Sequence, residues 1–90
     1  MKLIFEPRGW SDYLHWQLSD PKLAARVNAL IEDTMRSPFR GIGKPEPLRE
    51  NLSGLWSRRI NEENRLIYRV IGKGEDQALQ IAQCRFHYRR

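Results

Sequence analysis

Between residues 38 and 47 the sequence reads Pro-Phe-Arg-Gly-Ile-Gly-Lys-Pro-Glu-Pro. Three prolines and two glycines in so short a run remove backbone donors and unsettle φ, so neither a helix nor a central strand can pass through it. The run is a shaped loop, and it separates two halves with different hydrophobic periods. Ahead of it apolar residues recur at helical spacing, and behind it they form strand-like runs.

In the first half, Leu3 to Phe5 is a short apolar run ended by Pro7 and Gly9, which suits a first strand. Trp10, Tyr13, Leu14 and Leu18 then share one helical face, which predicts a helix that buries them and turns Ser11, Asp12 and Gln17 outward. Ser19-Asp20-Pro21 supplies capping oxygens and a proline suited to a first helical position. Leu23, Val27, Leu30, Ile31 and Thr34 continue as a second amphipathic helix, closed by Pro38. In the second half, Leu55 to Ile60 and Arg65 to Ile71 predict an antiparallel pair joined at Asn61-Glu62-Glu63-Asn64, and Ala78 to Tyr88 a final strand after a turn at Gly72 to Gln77. The fold class is therefore α+β, two N-terminal helices packed on one face of an antiparallel sheet, with the other face left for function.

Ninety residues support one hydrophobic core, so residues 1–90 read as a single domain. Sixteen Lys and Arg against eleven Asp and Glu leave a net charge of +5, which points to a polyanionic partner such as RNA, DNA or an acidic protein. The one cysteine, Cys84, has no disulfide partner and no thiol-activating motif, so it reads as a small apolar side chain. With only His15 and His87 beside it, no metal site of the CxxC or HExxH kind can be written, and His15 reads as a partly buried surface histidine. The expectation is a reduced, cytoplasmic protein without metal or cofactor. Its opening run is broken by charge and proline, as neither a signal peptide nor a membrane span would be.

Within the second half, Arg65, Ile67, Arg69 and Ile71 fall on one strand face, opposite Leu66, Tyr68 and Val70. In the last strand Arg85 and His87 share one face and Phe86 and Tyr88 the other. Lys44, Arg49, Arg58, Arg59, Arg69 and Arg85, with aromatics among them, suit phosphate contacts and base stacking. One carboxylate, Glu46, stands inside this basic half between Pro45 and Pro47, where the cationic surroundings favour its ionised form and let it serve as a base. His87 is a side chain able to exchange protons near neutrality. Glutamate, arginine, histidine and tyrosine together offer what metal-free RNA cleavage needs: a base for the 2′-OH, a cation for the phosphorane and an acid for the 5′-oxygen. Ordinary exposed residues are the other reading of Glu46 and His87, and spacing alone does not bring them together.

Lys44-Pro45-Glu46-Pro47-Leu48, Asn51-Leu52-Ser53-Gly54-Leu55-Trp56-Ser57-Arg58-Arg59-Ile60, Glu62-Glu63-Asn64-Arg65-Leu66-Ile67-Tyr68 and Cys84-Arg85-Phe86-His87-Tyr88 resemble the YoeB (Txe/YoeB) toxins of bacterial toxin-antitoxin pairs, and the likeness covers nearly the whole chain. The resemblance implies a microbial-ribonuclease-like fold of the RelE/YoeB superfamily. It also implies a ribosome-dependent endoribonuclease that cuts mRNA in the A site of the 70S ribosome by metal-free attack of the 2′-OH, forming a 2′,3′-cyclic phosphate and arresting translation. A YefM-like antitoxin, dimeric and DNA-binding, would cover the site with a segment that orders on the toxin, and relatives commonly dimerise. Residue by residue, Glu46 matches the family's general base, Arg65 its transition-state arginine, His87 its general acid and Tyr88 the neighbouring aromatic. Two departures stand out: Arg89 and Arg90 follow the His-Tyr pair where relatives end, and the Gly72 to Gln77 turn is longer. The reading that competes with an enzyme is a non-catalytic basic RNA- or ribosome-binding module; an acidic-protein interaction domain is a further one.

Overall fold

A computed structural model describes residues 1–87. Strand β1 (Lys2–Phe5) leads into helices α1 (Pro7–Ser19) and α2 (Pro21–Arg36); β2 (Glu46–Pro47), β3 (Trp56–Arg59), β4 (Arg65–Ile71) and β5 (Ala78–Gln83) follow, with single 3-10 turns at Glu50–Leu52 and Gly74–Asp76. The sheet order is β1-β5-β4-β3-β2, antiparallel except for the parallel β1–β5 pair. No described helix is long and apolar enough to cross a membrane.

Asp20 makes the tight junction between the helices. Its backbone N–H donates to Trp16 O at 2.9 Å and ends α1, while its side chain accepts from Leu23 N at 3.1 Å and caps α2. In α2 the expected face is the buried one: Val27, Leu30 and Ile31, joined by Ala24, pack on Leu66, Tyr68, Leu79 and Ile81 of the sheet, and Thr34 is buried as well. Helix α1 differs from the expectation. Trp10, Leu14 and Leu18 are 48%, 38% and 85% exposed, and the buried positions are Gly9 and Trp16. Backbone contact, not apolar periodicity, sets this rotation: a Cβ at Gly9 would lie 2.4 Å from Ile81 O, so only glycine lets α1 approach β5 there. Asp12 turns inward with it, accepting from Cys84 N at 3.0 Å, and Trp16 Nε1 donates to Cys84 O at 2.7 Å. Cys84 itself is buried, and burial pushes its thiol up to about 12.

The loop after α2 is held by a guanidinium. Arg58, on the helix-facing side of β3 and fully buried, donates to Ser37 O, to Arg40 O at 2.9 Å, to Ile42 O at 3.1 Å and to the Asp33 carboxylate at 2.6 Å. Its Nε donates to the Tyr68 hydroxyl at 3.2 Å, and that hydroxyl donates to Pro38 O at 2.6 Å. Gly41, at φ 126, passes so close that a Cβ there would meet the Asp33 carboxylate at 2.1 Å. Arg58 was expected among the phosphate-binding cations; the structure corrects this, because its donors are spent on loop carbonyls and none of its surface is free.

The final strand is also shorter than expected. β5 ends at Gln83, a register shift near Ile67 and Tyr68 interrupts its ladder, and Phe86 adopts φ 64, so the face alternation read across Arg85, Phe86 and His87 does not hold. Tyr88, Arg89 and Arg90 lie outside the described residues.

Candidate active site

The strand register composes the site. Glu46 pairs with Ser57 and Ser57 with Ile67, while Arg59 pairs with Arg65, so these side chains share the face opposite the helices. The two-residue β2 is an edge strand, where its one proline, Pro47, is tolerated, and it presents Glu46 outward. Glu46, Ser57, Arg59 and Arg65, with Lys44, line a polar cleft of about 80 Å³. One carboxylate thus faces three cations and a hydroxyl, and the cations can gather an anionic group against it.

Arg65 is anchored through a single nitrogen. Its Nη1 donates to the carbonyls of Asn61 at 2.7 Å, Glu62 at 3.1 Å and Asn64 at 3.1 Å, all in the β3–β4 turn. Among the described residues, Nε and Nη2 make no hydrogen bond and remain available to a ligand. His87 is exposed and reaches the same turn, its Nε2 lying 3.2 Å from Glu62 O. The segment bearing it is tied down at three further points: Gln83 Nε2 donates to His87 O at 3.0 Å, Phe86 N to Asn64 Oδ1 at 2.6 Å, and Arg65 N to Phe86 O at 2.9 Å.

Of the residues singled out by sequence, the structure brings Glu46, Arg65, Lys44 and Arg59 into one cleft and sets His87 beside the Arg65 anchor. Arg49 precedes a surface turn, Arg69 is exposed farther along β4, and Arg85 lies over the Phe86 ring at 4.6 Å; none lines the cleft. Tyr88 falls beyond the described residues. Sequence reasoning missed Ser57, which the two-residue period starting from Arg59 would have found, and it missed Gln83 and Asn64, whose side chains hold the His87 segment. The Arg58 guanidinium and the Ile42 N–H hold the Asp33 carboxyl below its ordinary value, while burial pushes the Tyr68 phenol up. Among the described residues no group of three His, Cys, Asp or Glu side chains gathers as a metal site would require.

The two helices and five strands make a small α+β domain with an acid residue in a cationic cleft on its open sheet face, and the comparisons with known proteins are specific. The family model for the YoeB-like toxin of bacterial type II toxin-antitoxin systems matches residues 5–88. Toxin YoeB of Escherichia coli K12 is 56% identical over 98% of this chain and 100% of its own. Among solved structures, a YoeB/ParE toxin from Agrobacterium tumefaciens superposes with a TM-score of 0.94 at 49% identity, covering 98% of this chain and 100% of that one. The Staphylococcus aureus YoeB, in a heterotetrameric YoeB-YefM complex, superposes with a TM-score of 0.84 at 40% identity, covering 98% of both chains. The chain belongs to the YoeB-like toxin family of type II toxin-antitoxin systems.

Proposed function

We propose that this toxin is a metal-independent endoribonuclease acting on mRNA held in the ribosomal A site. The observation that carries the reading is the Glu46 carboxylate in a cleft whose charged walls are otherwise Lys44, Arg59 and Arg65. Glu46 takes the proton of a 2′-OH, and the oxygen attacks the adjacent phosphorus. Charge gathering on the equatorial oxygens meets the Nε and Nη2 donors of Arg65, which is already fixed through Nη1, so little reorganisation is needed as the charge develops. His87 gives a proton to the departing 5′-oxygen, which leaves a 2′,3′-cyclic phosphate. Tyr88 follows His87 in the chain as the neighbouring aromatic. Arg49, Arg69 and Arg85 extend the contact to flanking phosphates or ribosomal RNA. The ribosome supplies part of the in-line positioning, so free RNA is cut slowly.

The working partner is a YefM-like antitoxin, a reading supported by the complex of the S. aureus relative, and its ordering segment covers the cleft. A homodimer and a cytoplasmic setting complete the proposal. The spread of Arg49, Arg69 and Arg85 beyond the cleft favours one competing reading, a basic ribosome-binding module without catalysis. Single-turnover assays on programmed ribosomes test the choice: a 2′,3′-cyclic phosphate at the 5′ fragment's end, lost in Glu46→Gln, is expected of the enzyme. A 3′-hydroxyl at that end, or no cleavage by the parent, overturns it.

A further inference from the structure

We propose that Asn64 is a positioning residue, whose side chain holds the segment bearing His87 against the turn that anchors Arg65. The inference rests on the reading of the cleft as a cleavage site. Asn64 is 8% exposed and works on both sides of the gap. Toward its own turn, its N–H and Nδ2 donate to Asn61 Oδ1 at 2.8 and 3.1 Å, and its carbonyl accepts from Ile60 N at 3.0 Å and from Arg65 Nη1 at 3.1 Å. Toward the C-terminal segment, its Oδ1 accepts from Phe86 N at 2.6 Å. The Phe86 carbonyl in turn accepts from Arg65 N at 2.9 Å, so residues 64 and 65 grip both backbone groups of Phe86.

That grip falls where the chain needs it. Phe86 holds φ 64, a left-handed conformation that a side chain with a Cβ rarely adopts without support. The next residue is His87, whose ring then reaches Glu62 O at 3.2 Å. A side chain that offers an acceptor to Phe86 and a donor to Asn61 at once has to be an amide of this length. Aspartate keeps the acceptor but turns a second oxygen toward Asn61 Oδ1, and alanine keeps neither. The Asn64 backbone carbonyl that holds Arg65 survives either change, so the loss falls on the His87 side.

The test has two arms. In the first, amide exchange and the ring signals of His87 are followed by NMR in Asn64→Ala. The expected result is that Phe86 N–H protection falls at least about tenfold and the His87 ring environment shifts, while the β4–β5 amides keep their protection. Unchanged Phe86 protection, or loss spread evenly over the sheet, overturns the proposal. In the second, single-turnover cleavage on programmed ribosomes is expected to slow about 10²-fold in Asn64→Ala, with the half-saturating ribosome concentration unchanged. Asn64→Asp should fall between that variant and the parent, and Asn64→Ala should cost nothing further in a His87→Gln background. A parent-like rate, or the full loss repeated on top of His87→Gln, overturns it. Should the parent chain itself fail to cleave, the cleavage reading falls and with it the catalytic half of this inference, while the NMR arm still decides whether Asn64 holds the segment.

Discussion

Arg65 and His87 meet at one acceptor, the carbonyl oxygen of Glu62, with Arg65 Nη1 at 3.1 Å and His87 Nε2 at 3.2 Å. The turn carbonyl that helps fix the Arg65 guanidinium is thus also the one the His87 ring reaches. In the proposed reaction the imidazolium form of His87 gives one proton to the leaving oxygen and becomes the neutral ring.

Replacing either proton-transfer group should therefore act on rate rather than on binding. Glu46→Gln and His87→Gln are each expected to lower the single-turnover rate by about 10² to 10⁴ on programmed ribosomes. Ribosome affinity should be unchanged, or slightly higher for Glu46→Gln, which removes a negative charge from a cationic cleft. Filter binding alongside the cleavage assay checks both halves.

Affinity for the ribosome should fall as monovalent salt rises at fixed magnesium, because arginines on the open sheet face displace counterions from phosphates. Arg59→Gln or Arg69→Gln is expected to reduce the log–log slope by about 0.7 to 0.9 for each phosphate that is no longer neutralised. Titrations between low and moderate salt measure it.

Arg58 should behave differently from its neighbour. With its guanidinium buried against Asp33, Tyr68 and three loop carbonyls, Arg58→Met is expected to cost about 3–5 kcal/mol of folding stability, as loss of one partner of a buried pair does. Urea unfolding of the two variants should separate them, Arg59→Gln remaining close to the parent.

The same clamp gives the fold an acid limit. The Asp33 carboxyl sits below its ordinary 3.8 because Arg58 and the Ile42 N–H bind its ionised form. As pH falls, the unfolded chain takes up this proton first, so the stabilisation is complete above the ordinary value and is lost on acidification through the lower, folded one. Melting temperatures should drop below about pH 4. Asp33→Asn should flatten that part of the profile while lowering stability at neutral pH.

Cys84 should be silent toward thiol reagents in the folded state. It is buried and its thiol is pushed up to about 12, so little thiolate exists at neutral pH. Iodoacetamide labelling followed by mass spectrometry is expected to modify it only after unfolding in guanidinium.

Helix α2 and the β3–β4 hairpin were legible because their patterns are driven by burial alone: Val27, Leu30 and Ile31, or Leu66 and Tyr68, must face the core. Helix α1 was misread because its docking is set by backbone contact at Gly9 and by the Asp12–Cys84 hydrogen bond, and an apolar period registers neither. Strand parity put Arg65 on the open face, whereas Glu46 stood out by its flanking prolines and basic surroundings, and its pairing with Ser57 was not legible because the run around it reads as a loop. Parity also held the means to separate Arg58 from Arg59, since adjacent strand residues point oppositely and one of the two had to meet the helices. What lay beyond reach was the path after Gln83, where the left-handed Phe86 and its hydrogen bond to Asn64 replace the strand that Ala78 to Tyr88 promised.

The parallel β1–β5 pair sets the order in which the molecule can come into being. Lys2 finds its partner in Ala78, and β5 lies between β1 and β4, so the last strand to be synthesised is an inner one. Until it arrives, β1 has no neighbour, α1 lacks the Ile81 backbone and the Cys84 groups on which it docks, and the Asn64 side chain has no Phe86 to hold. The contacts that close the domain span nearly its whole length, so a nascent chain stopped short of Ala78 lacks the surface on which its first strand and first helix dock, and joining first strand to last is a long loop closure.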